Sequence, residues 1–572
     1  MPIDSNQMVC YALYDLMASI THKLINGHTY YYIRECQRVN GKPKIIWQKY
    51  LGRADDLAER LDAMEQVTAE AFAFGLPAAL YAQAERLGLI ALIDTHCPKR
   101  AQGLSVGHYL VLAAINRVCQ PTSKQHIAEW HQRTVLRRLL PASTAALSSQ
   151  RFWDHMDMVS TEQIQAIEEQ LVEYLHRQLK VDPHCLLYDT TNFFTYIETD
   201  TPGELAQRGH NKQKRNDLRQ LGLALLVSRD GRLPFFHALY PGQLHDSREF
   251  TAVLTSLLER LALLGLTAED VTLVFDKGNN SPENIRRCAD YHYVGALVAT
   301  HYRDLLAIPL TAYTDVAPGV KAYLTTRTVY GREHRLCLVW SEAFAVSQQR
   351  GVRLQLDKRL ARLAQEAERL EAWIRGEHQS GCAPTLASVR KKVSHILRGQ
   401  HMARLIAVTL QETAEGRVRL AYAVNESAFA ELRTTLFGKN LLFTNRMAWD
   451  AEAIISTYHA QYHVEDAFRQ LKNPHHVSFY PVYHWTDQKL HVHAFYCVLA
   501  LLLAGLLLRE VRQAGLTISA AQLYEQLETL REIVLLYPRP RRTPKVVTKL
   551  TQMTTLQEQL YATLKLARYT AR

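Results

Sequence analysis

The apolar positions of this chain change their period along its length, and those changes divide it. Between 76 and 183 they recur at three- and four-residue spacing, which predicts helices over Pro77–Ile93, Ser105–Val118, Ser123–Leu140 and Thr161–Val181. Residues 1–75 should open with a short helix. Two runs then follow, Tyr30–Glu35 and Lys44–Tyr50, flanking Asn40-Gly41, a strong hairpin signal. This basic ribbon is read as a small structural hairpin in preference to a DNA contact, that being the commoner role.

From 184 the pattern mixes strands with helices. Cys185–Asp189 and Thr272–Asp276 are short runs of Leu, Val and aromatics ending in an aspartate, as expected of strands buried on both faces. Between them come a hairpin, Leu221–Ser228 and Leu233–Tyr240 around Asp230-Gly231, and a helix over Ser247–Leu264. A helix over Pro282–Asp290 and a strand over Tyr293–Ala299 follow. Residues 301–440 interrupt this core with strands at Lys321–Tyr330 and His334–Ser341, a charged helix over Arg353–Arg375 and a basic helix over Ser388–Arg398. Strands at Met402–Leu410 and Arg417–Val424 complete the insert.

The strand Asn440–Thr444 leads to Tyr458–Lys472, free of Gly and Pro and read as one helix. Ala494–Leu508 is the longest uncharged apolar run. It is shorter than the ~20 residues a spanning helix needs and is expected as a core helix, with no membrane association. A helix near Ala520–Leu530 and a basic, proline-stiffened, extended segment over Tyr537–Lys545 end the chain. The expected domains are 1–75, 76–183 (helical, DNA-binding), 184–300 and 441–515 (the two parts of an α/β core), 301–440 (an α+β insertion) and 516–572.

Composition narrows the classes. The net charge of +11 points to an anionic partner. Nine scattered cysteines without a C-x-x-C pair argue against a disulfide framework and a zinc site, and fit a reducing, cytoplasmic setting. Met1-Pro-Ile-Asp-Ser lacks the basic-then-apolar pattern of a secretion signal.

The candidate chemistry sits in three stretches. At 3.6 residues per turn Tyr458, Gln461, Glu465 and Lys472 share one stripe, while Val464, Ala467, Phe468 and Leu471 form an adjoining apolar one. An aspartate ending a buried strand wants a cation or a donor. Asp189, Asp276 and Glu465 together form an oxygen-ligand set suited to Mg²⁺.

Tyr458-x2-Gln461-x3-Glu465-x6-Lys472 resembles the Tyr-x2-Arg-x3-Glu-x6-Lys signature of bacterial insertion-sequence DDE transposases, the fourth insertion-sequence family and its relatives. Tyr188-Asp189-Thr190-Thr191 and Phe275-Asp276-Lys277-Gly278-Asn279 are similar to that family's two aspartate motifs. Gln461 departs from the signature: it keeps a donor but lacks the charge and fork of Arg. The resemblance implies an RNase H-like mixed-sheet core and an enzyme that cuts DNA at its element's ends and joins the freed 3′-hydroxyls to target DNA. It implies two Mg²⁺ ions, with Mn²⁺ able to substitute, held by Asp189 as bridging ligand with Asp276 and Glu465. The partners it implies are double-stranded DNA, at terminal inverted repeats and target, and a second copy of the chain.

Tyr458, Gln461, Lys472 and Lys277 are assigned to DNA, as are Lys212, Lys214, Arg215 and Arg219 of the basic loop after the first aspartate. Asp246 is read as a helix cap, Asp217 as a partner within the basic loop, His491 and His493 as structural, and Trp449 as a packing anchor. The alternatives are a DNA-binding descendant without chemistry and another nuclease on the same core.

Overall fold

The computed structural model describes residues 18–571 except 40–41, 66, 99–101, 199–200, 210, 212, 245, 264, 267–268, 270, 378–381 and 540–541. It forms two compact units. The first holds Met1–Ala79, Ala128–Thr144 and Ala514–Arg572, the second Leu80–Ile127 and Ala145–Gln513.

In the first unit β1 (Ser19–Ile25), β2 (His28–Val39) and β3 (Lys42–Arg53) form an antiparallel sheet. The ribbon has a third strand the pattern did not signal. Val39 pairs with Lys42; the Asn40-Gly41 turn and the helix expected near the N-terminus lie outside the described residues. Helix α1 (Ala54–Glu65) and strand β4 (Thr68–Ala73) follow.

The helical stretch is more broken than its periodicity predicts. Gly88, left-handed at φ 58°, separates Gly75–Arg86 from Leu89–His96. Ser123–Leu140 is three short pieces instead of one helix. Helices α2 (Val106–Cys119) and α3 (Thr161–Arg177) start where expected because Ser105 and Ser160 cap them, Ser160 within a full capping box with Gln163.

The second unit is built on a mixed nine-stranded sheet, so the fold is α/β. Its strands are β5 (Cys185–Thr195), β6 (Arg219–Ser228), β7 (Pro234–Pro241), β8 (Thr272–Phe275), β9 (His292–Leu297), β10 (Thr314–Ala317), β11 (Val320–Val329), β12 (Arg332–Ser341) and, beyond a separate hairpin β13 (Ile406–Glu412) and β14 (Val418–Val424), β15 (Lys439–Thr444). Their order is β10-β11-β12-β15-β9-β8-β5-β6-β7, with β8 parallel to both β5 and β9 and the other neighbours antiparallel. The sheet therefore continues into the interval read as an insertion. A separate core there gathers Leu356, Leu363 and Leu370 of α4 (Glu342–Ile374) with Val389, Val418 and Phe429. Met402–Leu405, read as strand, is a helical turn.

Helices α5 (Ala451–His459), α6 (Tyr462–Leu471) and α7 (Asp487–Gln513) complete this unit. α7 runs past the apolar stretch at both ends, to 27 residues, and is long and apolar enough to cross a membrane. Yet 89% of its most apolar window is buried within the protein, where it packs on α2, α3, α6 and β7. Gly505 lets the β6–β7 turn approach: a Cβ there would lie 2.8 Å from Leu233.

In the first unit β16 (Arg531–Arg539) and β17 (Arg542–Leu550) pair as a hairpin, with β16 on β4. The described residues of Tyr537–Lys545 are extended, as expected, and pair with one another, Tyr537 with Lys545 and Arg539 with Arg542. The run Val546-Val547-Thr548 supplies a strand to pair with Leu536, Leu535 and Val534.

Candidate active site

Two neighbouring strands bring the aspartates together. β8 ends just before Asp276, but β5 does not end at Asp189 as expected and runs on to Thr195, because Asp189–Thr195 pair with β6. β5 and β8 run parallel with Tyr188 opposite Phe275, so Asp189 and Asp276 follow the last paired residues side by side, on strands about 4.8 Å apart. Leu186, Leu187, Val274 and Phe275 are fully buried, which explains the uninterrupted apolar runs before each acid. Asp276 also opens the turn Lys277–Asn279, its carbonyl accepting from the Asn279 N–H at 3.0 Å.

α6 brings the glutamate. Val464, Ala467, Phe468 and Leu471 are buried as their spacing predicts, seating the helix on β5, β6 and α7 with Glu465 exposed. The Tyr458–Lys472 stretch, however, is two helices. The break falls at Ala460-Gln461, and Gln461 is 7% exposed with its carbonyl oxygen unpartnered. The structure therefore buries Gln461, which was assigned to DNA, at the junction of the two helices.

Tyr458, on α5, touches one of the three acids directly. Its hydroxyl donates to Asp276 Oδ1 at 3.4 Å. Burial, then the negative charge of Asp276, then Glu465 and Asp189 push its pKa well above the ordinary phenol value. One phenol thus senses all three carboxylates. At the far end of α6 the Lys472 ammonium donates to Thr191 Oγ1 at 2.5 Å and lies 5.5 Å from the centre of the Phe193 ring. Asp189, Thr191 and Phe193 alternate onto one face of β5, so this contact puts a cation on the aspartate's own face.

A second cluster anchors α6. Asp466 pairs with Arg232, which sits left-handed (φ 58°) in the β6–β7 turn. Arg232 also donates from Nε to His463 Nδ1 at 2.9 Å and lies over the Tyr462 ring. Burial and the Arg232 charge hold the His463 pKa down to about 4, so the ring stays neutral and accepts. Thr191, Phe193, Arg232, Asp466 and His463 were not singled out in the sequence. Thr191 lies within the first aspartate motif, the one signal that marks any of them.

The donor chemistry at the carboxylates, oxygens without thiolate or imidazole, fits a hard divalent cation. Among the described residues no group of three or more His, Cys, Asp or Glu side chains is placed to hold a metal ion. Of the basic loop, Lys212 lies outside the described residues and Lys214 is exposed. Arg215 is engaged by Asp217 at 2.8 Å, as read for that acid, and holds its carboxyl down to about 2. Arg219 donates to the Thr201 carbonyl at 2.7 Å. Lys277 is exposed and lines a cleft of about 600 Å³ with Phe344, Gln348 and His401.

The Asp246 side chain lies outside what is described, although its helix begins there. His493 is buried, bonded to the Phe479 carbonyl at 2.7 Å and to Tyr496. Trp449 packs against the cluster of Val294, Leu442 and Ile454.

A family model described as the transposase DDE domain matches residues 194–502, a span that includes Asp276 and Glu465 and starts just after Asp189. No curated protein matches. A solved structure with likeness is the cryo-EM structure of the piggyBac transposase synaptic complex with hairpin DNA. It is 8% identical, with a TM-score of 0.34, over 81% of this chain and 82% of that one. The family match runs over more than half of the chain and contains two of the three candidate acids, and it shows that the chain belongs to the DDE transposase family.

Proposed function

We propose that this chain cuts DNA at the ends of a bacterial insertion sequence and joins the released 3′-hydroxyls to target DNA. Its working state is a dimer on DNA, its core is RNase H-like, and its cofactor is a pair of Mg²⁺ ions. The observation that supports the reading is the placing of Asp189 and Asp276 side by side on neighbouring parallel strands, with Tyr458 bonded to Asp276 and in the field of Glu465 and Asp189. DDE transposases are divalent-metal dependent, and these three carboxylates are the residues that would hold the ions. When bound, the ions activate water and neutralise charge on the attacking and leaving oxygens of a phosphodiester.

The chain's own groups do the rest. The Tyr458 hydroxyl, donating to Asp276, orients that carboxylate. Lys472 sets a positive charge on the Asp189 face of β5, where a phosphate path past the acids would run. No side-chain nucleophile is needed.

The test is Asp189→Asn in the full chain, assayed on a plasmid carrying the DNA that flanks the gene. The amide keeps the shape but loses the ligand charge, so Mg²⁺-dependent cutting and joining should vanish while DNA binding persists. Cleavage without joining in the wild type would favour a nuclease. DNA binding with no cleavage in the wild type would favour a binding protein.

A further inference from the structure

We propose that the tyrosine-bearing face of the β1–β3 sheet is a duplex-DNA contact surface. The inference rests on the DNA transposase reading and names a surface that reading does not.

Residues 18–53 hold seven Lys and Arg against a single acid, Glu35, and so contribute +6 of the chain's +11. Strands β1 and β3 are exposed over nearly their whole length, Trp47 and Tyr50 at 48% and 52%. Among the described residues α1 touches β2 and β3, yet β1 and β3 stay exposed along most of their length, so the sheet leaves a broad surface open to a partner.

Register decides which face. Tyr30, Tyr32 and Arg34 alternate onto one side of β2. Their cross-strand partners bring Lys23 of β1 and Tyr50 and Arg53 of β3 to the same side. The Tyr50 ring lies 6.1 Å from Tyr30 and 5.3 Å from Tyr32. Lys23 sits 5.4 Å from the Tyr32 ring centre, and Arg53 sits 5.6 Å from that of Tyr30 while donating to its hydroxyl at 3.4 Å. These cations rest on aromatic rings. Among the described residues none of Lys23, Arg34 and Arg53 is ion-paired with a carboxylate, so their charge is available.

The opposite face is different. Gly52 pairs with Tyr31, and a Cβ on it would meet Asp56 at 3.3 Å, so the acidic first turn of α1, Asp55 and Asp56, stands beside that side. The tyrosine face therefore offers unpaired cations, phenolic donors and stiff rings, with the nearby acids behind it. Phosphate oxygens suit the cations and phenols, and a strand ribbon fits the major groove, about 12 Å wide.

The experiment is fluorescence anisotropy of the full chain with a short mixed-sequence duplex across a salt series. Lys23→Ala/Arg34→Ala/Arg53→Ala should weaken binding on every sequence and lower the log–log salt slope by about 2–3, each lost phosphate contact removing about 0.9. Lys44→Ala/Lys49→Ala, on the opposite face, should change the slope by less than about 1. Lys23→Arg/Arg53→Lys should keep the wild-type slope, which separates loss of charge from loss of fold. An unchanged slope in the triple variant, or an equal fall from the Lys44/Lys49 pair, overturns the proposal and leaves the sheet as a protein-docking or structural element. A wild-type chain that binds no duplex overturns the transposase reading as well.

Discussion

Replacing Asp466 by alanine should release the first turns of the helix that carries Glu465. Asp466 accepts from Arg232, from Arg469 at 2.8 Å and from Gln470 at 3.1 Å. The Arg469 guanidinium is 73% exposed and contributes little. The Arg232 pair is the one that counts, with side chains 16% and 19% exposed. Breaking a fully buried pair costs about 3–5 kcal/mol; with water still reaching both ends here, about 2 kcal/mol is expected. That corresponds to roughly a thirtyfold rise in local opening of α6. Spread over so large a protein it shifts the melting temperature by only a few degrees. The assay is therefore amide hydrogen exchange across Tyr462–Leu471, with single-turnover DNA cleavage alongside. Asp466→Asn, which keeps an acceptor but not the charge, should fall between. If exchange on α6 and cleavage both match wild type in Asp466→Ala, Arg232 does not anchor the Glu465 helix.

Three further outcomes follow from the same geometry. Gln461→Met should raise stability by about 1–2 kcal/mol, because it removes a buried carbonyl oxygen without a partner, whereas Gln461→Arg should lower it by forcing a charge inside. Melting temperatures decide, and a stable, tighter-binding Gln461→Arg would show that the residue faces DNA. Lys472→Ala should slow cleavage without altering the divalent-ion concentration needed, so a metal titration that shifts instead would place Lys472 at the ligands. The fold holds His463 neutral with a pKa near 4 against an ordinary 6.5, so the unfolded chain binds its proton first as pH falls. Stability should rise with pH across that window and be lost on acidification through it, by on the order of 1–2 kcal/mol once partial exposure is allowed for. Urea midpoints at both ends of the window, compared with His463→Gln, should show that part of the slope disappear.

What was legible in the chain was local. The spacing of Val464, Ala467, Phe468 and Leu471 announces a helix and names its buried face, because side-chain direction follows backbone period alone. The apolar runs before Asp189 and Asp276 announce buried strands, and an acid ending each marks a place where a charge must be compensated. Ser105 and Ser160 mark helix starts by capping chemistry that acts within a single turn.

The misreadings have a common cause. The break at Ala460-Gln461 is invisible because both residues keep helical dihedrals and nothing nearby disfavours helix. Strands β10–β12 were identified, apart from the short β10, yet their attachment to β15 depends on pairing Arg335 with Thr444, and no local pattern encodes a partner that far along the chain. The same holds for β16 on β4 and for Arg232 on Asp466. By itself the sequence determined which residues seek burial, which carry charge, and the period on which each lies. Only the tertiary structure decided that Asp189 and Asp276 stand on neighbouring parallel strands with Tyr458 bonded to Asp276, that Gln461 is buried, and that Lys23 and Arg53 of the first sheet stand on tyrosine rings. Those outcomes depend on long-range register and on which desolvated group finds a partner, and both are settled only when the whole chain closes on itself.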